Sequence, residues 1–144
     1  RENVYLNAAI LGHPKNEVDE KFQDILDFSE IGDFIESPLR TYSSGMQARL
    51  GFAVATAWVP DILILDEVLS VGDAAFREKC NNRILEYKEK GTTILFVSHT
   101  PAHIANLCQR AIWLDHGSII CSGEAPEVAE KYNFALLGRP IDKV

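Results

Sequence analysis

The sequence predicts an α/β fold: a mainly parallel sheet with helices, preceded by a helical part. Three observations carry this. The first forty residues show apolar side chains only at helical spacing, with no strand signal. After Pro60, short all-apolar runs alternate with helix-like stretches. Near the end, Asp115-His116-Gly117 separates two short apolar runs as a hairpin turn would. The strand–helix–strand–helix order implies parallel strands with an antiparallel edge. The division is placed after Trp58, giving a helical subdomain over 1–58 and a sheet-bearing part over 59–144.

Each element has a local cause. Residues 2–11 carry the apolar positions Val4, Leu6, Ile10 and Leu11, with Ala8 and Ala9 between them, and read as a helix stopped by Gly12 and Pro14. Residues 15–30 repeat the pattern with Val18, Phe22, Ile25 and Leu26, and Gly32 is expected to end it. Asp33 is placed to cap a short turn through Glu36, closed by Pro38. A helix-like run follows from Ala48 to Trp58. Ile62-Leu63-Ile64-Leu65 reads as a strand buried on both faces, as in a parallel sheet. Residues 73–90 form the next helix, with Phe76, Cys80, Ile84, Leu85 and Tyr87 inward and Gly91 at its end. Thr92 to Val97 is a second buried strand. Thr100-Pro101 offers a cap and a first-turn proline for a helix to about Cys108. Ala111 to Leu114 and Ser118 to Cys121 make the hairpin, and a last helix spans about 126–137.

Composition bounds the function. The 144 residues are one domain's worth, 47% hydrophobic and 24% charged, with a net charge of -7. Displacing counterions from nucleic acid needs clustered Lys and Arg, and no basic stripe exists here; nucleic acid is not an expected partner. The three cysteines, Cys80, Cys108 and Cys121, form no C-x-x-C pair and fit reduced thiols in a cytosolic setting. No apolar run approaches the roughly 18 residues that span a bilayer. No signal-peptide pattern opens the chain, and Arg1-Glu2-Asn3 starts without Met, inside a helical pattern, as a cut would.

Two stretches carry chemistry. The strand ending in Asp66-Glu67 resembles a Walker B strand. A buried strand delivers its last side chains to the carboxyl edge of the sheet, where α/β proteins bind ligands. There Asp66 can hold Mg²⁺, usually through water, and Glu67 can orient and deprotonate an attacking water. Taken alone, four apolar residues and two acids also describe a strand running out into solvent. Tyr42-Ser43-Ser44-Gly45-Met46-Gln47 reads as an anion-binding helix N-terminus. Ser43 offers a hydroxyl, Gly45 admits close approach, and free N–H groups with the helix dipole face a phosphate. A plain serine N-cap has the same look.

In order and spacing, the two stretches resemble the ABC-transporter ATPases. Residues 42–46 match the signature Leu-Ser-Gly-Gly-Gln, with Tyr42, Ser44 and Met46 replacing Leu, Gly and Gln. One helix later comes the Asp66-Glu67 strand. Ser70-Val71-Gly72-Asp73 stands where the family has its D-loop, and His99 follows the next strand as the switch histidine does. The resemblance covers nearly the whole chain and implies a partial P-loop NTPase-like ABC ATPase core plus an α-helical subdomain. It implies Glu67 and His99 as catalytic, and Asp66 as the Mg²⁺ residue. It implies that Ser43, Ser44, Gly45, Met46 and Asp73 contact the nucleotide, with ATP and Mg²⁺ acting in the full-length protein. Residues 1–7, 42–46 and 66–73 further resemble the subunits that export O-antigen, capsule or teichoic acid, which have Val68-Leu69 where other branches more often have Pro-Thr.

The Walker A pattern G-x-x-x-x-G-K-[ST], whose backbone N–H groups and Lys cradle phosphate, does not occur, and no Gly-Lys dipeptide exists in the chain. The chain therefore resembles the second half of a nucleotide-binding domain, inactive by itself. In the family one subunit supplies Walker A, Walker B and the histidine, and the other supplies the signature. The implied partners are a second copy in an ATP-sandwich homodimer and a transmembrane permease, with the subunit peripheral at the cytoplasmic face of the membrane. Two other readings stand beside this one. A non-catalytic interaction half fits the missing Walker A. A soluble ABC ATPase acting on DNA or ribosomes is opposed by the acidic charge and the lack of coiled-coil heptads.

Overall fold

The computed structural model describes residues 1–66 and 72–138. Six helices and four strands occur among them: α1 (Glu2–Ile10), α2 (Lys15–Ser29), α3 (Ser44–Ala55), β1 (Ile62–Asp66), α4 (Ala74–Glu89), β2 (Thr93–Val97), α5 (Pro101–Leu107), β3 (Arg110–Asp115), β4 (Ser118–Glu124) and α6 (Ala125–Leu137). Short 3₁₀ turns cover Gly32–Glu36 and Leu39–Thr41. The chain divides into two compact units: Arg1–Asp61 with Leu69–Thr92, and Ile62–Val68 with Thr93–Val144. Among the described residues no helix is long and apolar enough to cross a membrane.

The first unit packs α1, α2, α3 and α4 around an aromatic centre. Phe28 and Phe52 stack at 5.8 Å, and Phe76 meets both edge-on at 5.7 and 6.4 Å. Offset and edge-to-face pairs suit the ring quadrupoles better than a face-to-face sandwich. Val4, Val18, Ile25, Leu50, Val54, Cys80 and Ile84 are buried in the same unit. His13 stacks on Trp58 at 3.8 Å. Burial pushes the Cys80 thiol up to about 11, which leaves it an inert apolar filler.

Several local details were not set by the spacing. In α1 the buried residues are Val4 and Ala8, while Leu6, Ile10 and Leu11 are exposed. Leu85 of α4 is exposed as well. The helix α2 ends one residue before Glu30, a left-handed C-cap (φ 55°, ψ 26°), two residues ahead of the Gly32 expected to end it, which is itself at φ 55°. A side-chain residue pays for left-handed backbone unless tertiary contacts hold it, and Glu30 carries two ion pairs. Asp33 makes no capping bond in the 3₁₀ turn.

In the second unit β1 and β2 pair in parallel, from Ile62 opposite Thr93 to Asp66 opposite Val97. Both strands were expected to be buried on two faces; each is covered on one at most. Leu65 is buried and Leu63, Ile94 and Phe96 are half-buried, while Ile62, Ile64, Leu95 and Val97 stand exposed. The period of two in a strand puts these residues together on one face, and among the described residues no layer lies over it. The strands β3 and β4 make their own antiparallel pair, with a bulge at Trp113/Leu114, rather than an edge of the β1–β2 sheet. His116 (φ 45°) and Gly117 (φ 80°) turn the hairpin. The helix α6 packs on this pair and on α5, with Trp113 edge-on to Tyr132 at 5.4 Å.

Candidate functional site

The signature stretch in the first unit is built as a capped helix N-terminus. Tyr42 is buried, and its hydroxyl donates to the Phe34 carbonyl at 2.6 Å. That bond accounts for tyrosine at this position: a leucine would fill the space without tying residues 32–36 to the start of α3. The Ser43 hydroxyl accepts the Met46 N–H at 3.2 Å. A serine hydroxyl that accepts one bond keeps its own proton to donate outward. Helix geometry leaves the Ser44 and Gly45 N–H groups without an intrahelical acceptor, at the positive end of the helix dipole. A Cβ on Gly45 would meet nothing nearer than the Ser43 hydroxyl at 3.8 Å. The chain's own packing therefore tolerates alanine there. Ser43 and Ser44 are exposed, and Met46 is half-buried beside them. The donor set fits a phosphate group.

Asp73 starts α4. Its Oδ1 accepts the Phe76 N–H at 2.9 Å, and its Oδ2 takes Nη2 of Arg49 at 2.7 Å. The Phe76 N–H, and then the Arg49 guanidinium, hold this carboxyl below its ordinary value of 3.8. Gly72 before it is at φ 80°, and a Cβ there would come within 3.0 Å of the Phe76 ring, so glycine is required on both counts. Sequence reading singled out Asp73 but not Arg49, whose partners lie 19 and 24 residues away. No local pattern marks such a pair.

In the second unit, the parallel register sets Asp66 opposite Val97, at the carboxyl ends of both strands. His99 lies two residues past Val97, so Asp66 and His99 belong to the same sheet edge, and both are exposed. Glu67 and the Ser70-Val71 part of the D-loop lie outside the described residues. Among the described residues no group of three or more His, Cys, Asp or Glu could hold a metal ion. One exposed carboxylate at a strand end still suits Mg²⁺, which keeps several waters and needs only one or two carboxylates beside phosphate oxygens.

Residues 1–70 match the family described as "ABC transporter". The O-antigen export system ATP-binding protein RfbB of Klebsiella pneumoniae is 48% identical over 136 residues, covering 94% of this chain and 55% of RfbB. The chain belongs to the ABC transporter family. Another family member, the teichoic acids export ATP-binding protein TagH of Listeria innocua, is 48% identical over 132 residues, 92% of this chain and 39% of TagH. A solved structure titled "Structure of ATP binding subunit of ABC transporter" superposes with a TM-score of 0.77, at 23% identity, over 96% of this chain and 57% of that one. This ABC chain thus spans about half the length of the curated relatives it matches.

Proposed function

We propose that this chain forms part of the ATP-binding subunit that hydrolyses ATP to energise export of a cell-surface polysaccharide. The observation that carries the reading is the Ser43-capped N-terminus of α3, with the free N–H groups of Ser44 and Gly45. The similarity to O-antigen and teichoic acid export proteins supports the polymer class. By this reading 1–58 is a helical subdomain and 59–144 belongs to the ATPase core. Two copies sandwich ATP, beside a transmembrane permease at the cytoplasmic face of the membrane.

Asp66 would hold Mg²⁺ through water, and the ion would supply charge neutralisation on the phosphates. Glu67 orients the attacking water and accepts its proton as the oxygen bonds to the γ-phosphorus and the bond to the β-phosphate oxygen breaks. His99 offers a ring N–H to the transferring phosphoryl group. Residues 43–46 of the other copy close over the same nucleotide, with Asp73 beside that interface. Phosphoryl transfer needs little covalent participation from the protein, so positioned donors and charge carry the rate. In the full-length gene product, Glu67→Gln should lower turnover at least about a hundredfold while ATP binding is kept. Hydrolysis at the wild-type rate in a Glu67→Gln protein that binds ATP would remove the general-base role.

A further inference from the structure

Tyr42 stands one residue ahead of the serine that caps α3, and each of its polar groups is bonded. Its N–H donates to the Leu39 carbonyl at 3.0 Å, and its own carbonyl accepts Nε2 of Gln47, near the start of α3, at 3.5 Å. Its hydroxyl reaches eight residues back to the Phe34 carbonyl at 2.6 Å. That acceptor is itself held: Ile31 and Ile35 beside it are buried, and the Ser37 N–H donates to the same carbonyl at 2.8 Å. Thr41 is tied to the Pro38 carbonyl through its N–H at 2.9 Å and its hydroxyl at 2.7 Å. An apolar residue just before the cap often fixes the entry angle of a helix by packing on its first turn. Here a hydrogen bond to the Gly32–Glu36 turn fixes it, and the leucine usual in the signature has no donor for that bond.

We infer that Tyr42 is a positioning residue for the signature: its hydroxyl sets the direction in which the Ser44 and Gly45 N–H groups face the phosphate. This rests on the ATPase reading above, in which those N–H groups and the Ser43 hydroxyl meet the nucleotide when the two copies enclose it. Donors of this kind act by standing in place before charge develops, and they need support that holds them to within about 0.5 Å. The bond from the Met46 N–H to the Ser43 hydroxyl ties the first turn of α3 only to its own cap. The Tyr42 hydroxyl ties the same end of the helix to a turn outside it. Without that bond the helix still forms and Ser43 still caps it, but the helix end is free to tilt. Enclosure of the nucleotide must then supply the ordering that the hydroxyl had supplied.

The test uses the full-length gene product with its membrane partner, measuring ATP turnover, ATP binding and the melting temperature. Tyr42→Phe removes the hydroxyl and keeps the ring. Tyr87→Phe is the matched control: its hydroxyl also serves a carbonyl, that of Thr56 at the other end of α3, and there too a second donor, Arg83, remains. Both variants should lower the melting temperature by similar amounts, since each loses one neutral hydrogen bond and leaves its acceptor paired. Tyr42→Phe should lower kcat about three- to tenfold, the worth of one such bond, with ATP affinity within about twofold. Tyr87→Phe should keep kcat within about twofold. Tyr42→Leu, which restores the usual signature residue, should lose at least as much turnover as Tyr42→Phe. A Tyr42→Phe enzyme with kcat within about twofold of wild type overturns the inference, as does an equal kcat loss in Tyr87→Phe or a loss confined to ATP affinity. If Tyr42→Phe does not fold, Tyr42→Leu decides by the same readout, and failure of both to fold makes Tyr42 a folding residue and overturns the positioning role. Normal turnover in both Tyr42 variants overturns this inference alone, whereas no turnover in wild type overturns the ATPase reading and this inference with it.

Discussion

The carbonyl of Thr56, just past the end of α3, gives a double-mutant experiment whose size follows from the contacts. Thr56 is 2% exposed, so its carbonyl cannot rely on water. Two side chains of α4 serve it: Arg83 Nη1 donates at 2.7 Å, and the Tyr87 hydroxyl donates as well. Tyr87→Phe removes one donor and leaves the acceptor paired, so it should cost about 1 kcal/mol, the net worth of a neutral hydrogen bond. Arg83→Met removes a charged donor from the negative end of α3 and a cation over the Phe28 ring, 4.4 Å from its centroid. That should cost about 2 kcal/mol, because the methionine stem keeps part of the ring contact. With both changes the buried carbonyl loses both donors and bears the desolvation cost in full, about 1–3 kcal/mol more. The pair should therefore lose about 4–6 kcal/mol, beyond the additive value of about 3. Urea unfolding measures it, with Trp58 as the reporter in a Trp113→Phe background and equal slopes required across the four proteins. Additivity within about 0.5 kcal/mol, the scatter of independent sites, would refute the shared-acceptor argument.

Two further outcomes follow from the same unit. Lys79, first through its hydrogen bond, and then Arg49 hold the Glu30 carboxyl below its ordinary value of 4.5. A depressed carboxyl contributes stability that is present above the unfolded value and lost as pH falls through the folded one. The advantage of wild type over Glu30→Gln should thus be full at about pH 6 and shrink toward about pH 3, modestly, since the group is half exposed. Urea midpoints across that range check it, and a gap that widens in acid would contradict the assignment. Gly72→Ala should destabilise by about 1–3 kcal/mol, because alanine meets both the left-handed backbone and the Phe76 ring. A melting temperature equal to wild type would show that neither constraint operates.

Local chemistry was legible in the residues themselves. A serine three residues before an N–H it can cap sets the start of α3, and Asp73 sets that of α4 by the same bond. The runs 62–66 and 93–97 form strands because apolar, β-branched side chains suit the pleat, and Asp115-His116-Gly117 turns where positive φ is tolerated. What spacing could not tell is which side of an element meets another. The exposed Leu6 and Ile10 of α1, and the uncovered Ile62, Ile64, Leu95 and Val97 of β1 and β2, have the same apolar pattern as buried residues. Burial depends on the neighbouring layer, and a sequence window holds no neighbour.

The order of the motifs, and with it the family, was set by the sequence alone. Tertiary structure decided that the left-handed helix cap falls on Glu30, ahead of Gly32, and that Arg49 spans from Glu30 to Asp73 over the Phe76 ring. Those contacts join residues 19 to 24 positions apart through a fork, two carboxylates and a ring face. Such an arrangement is fixed by the packing of three helices, and no single helix's periodicity encodes it.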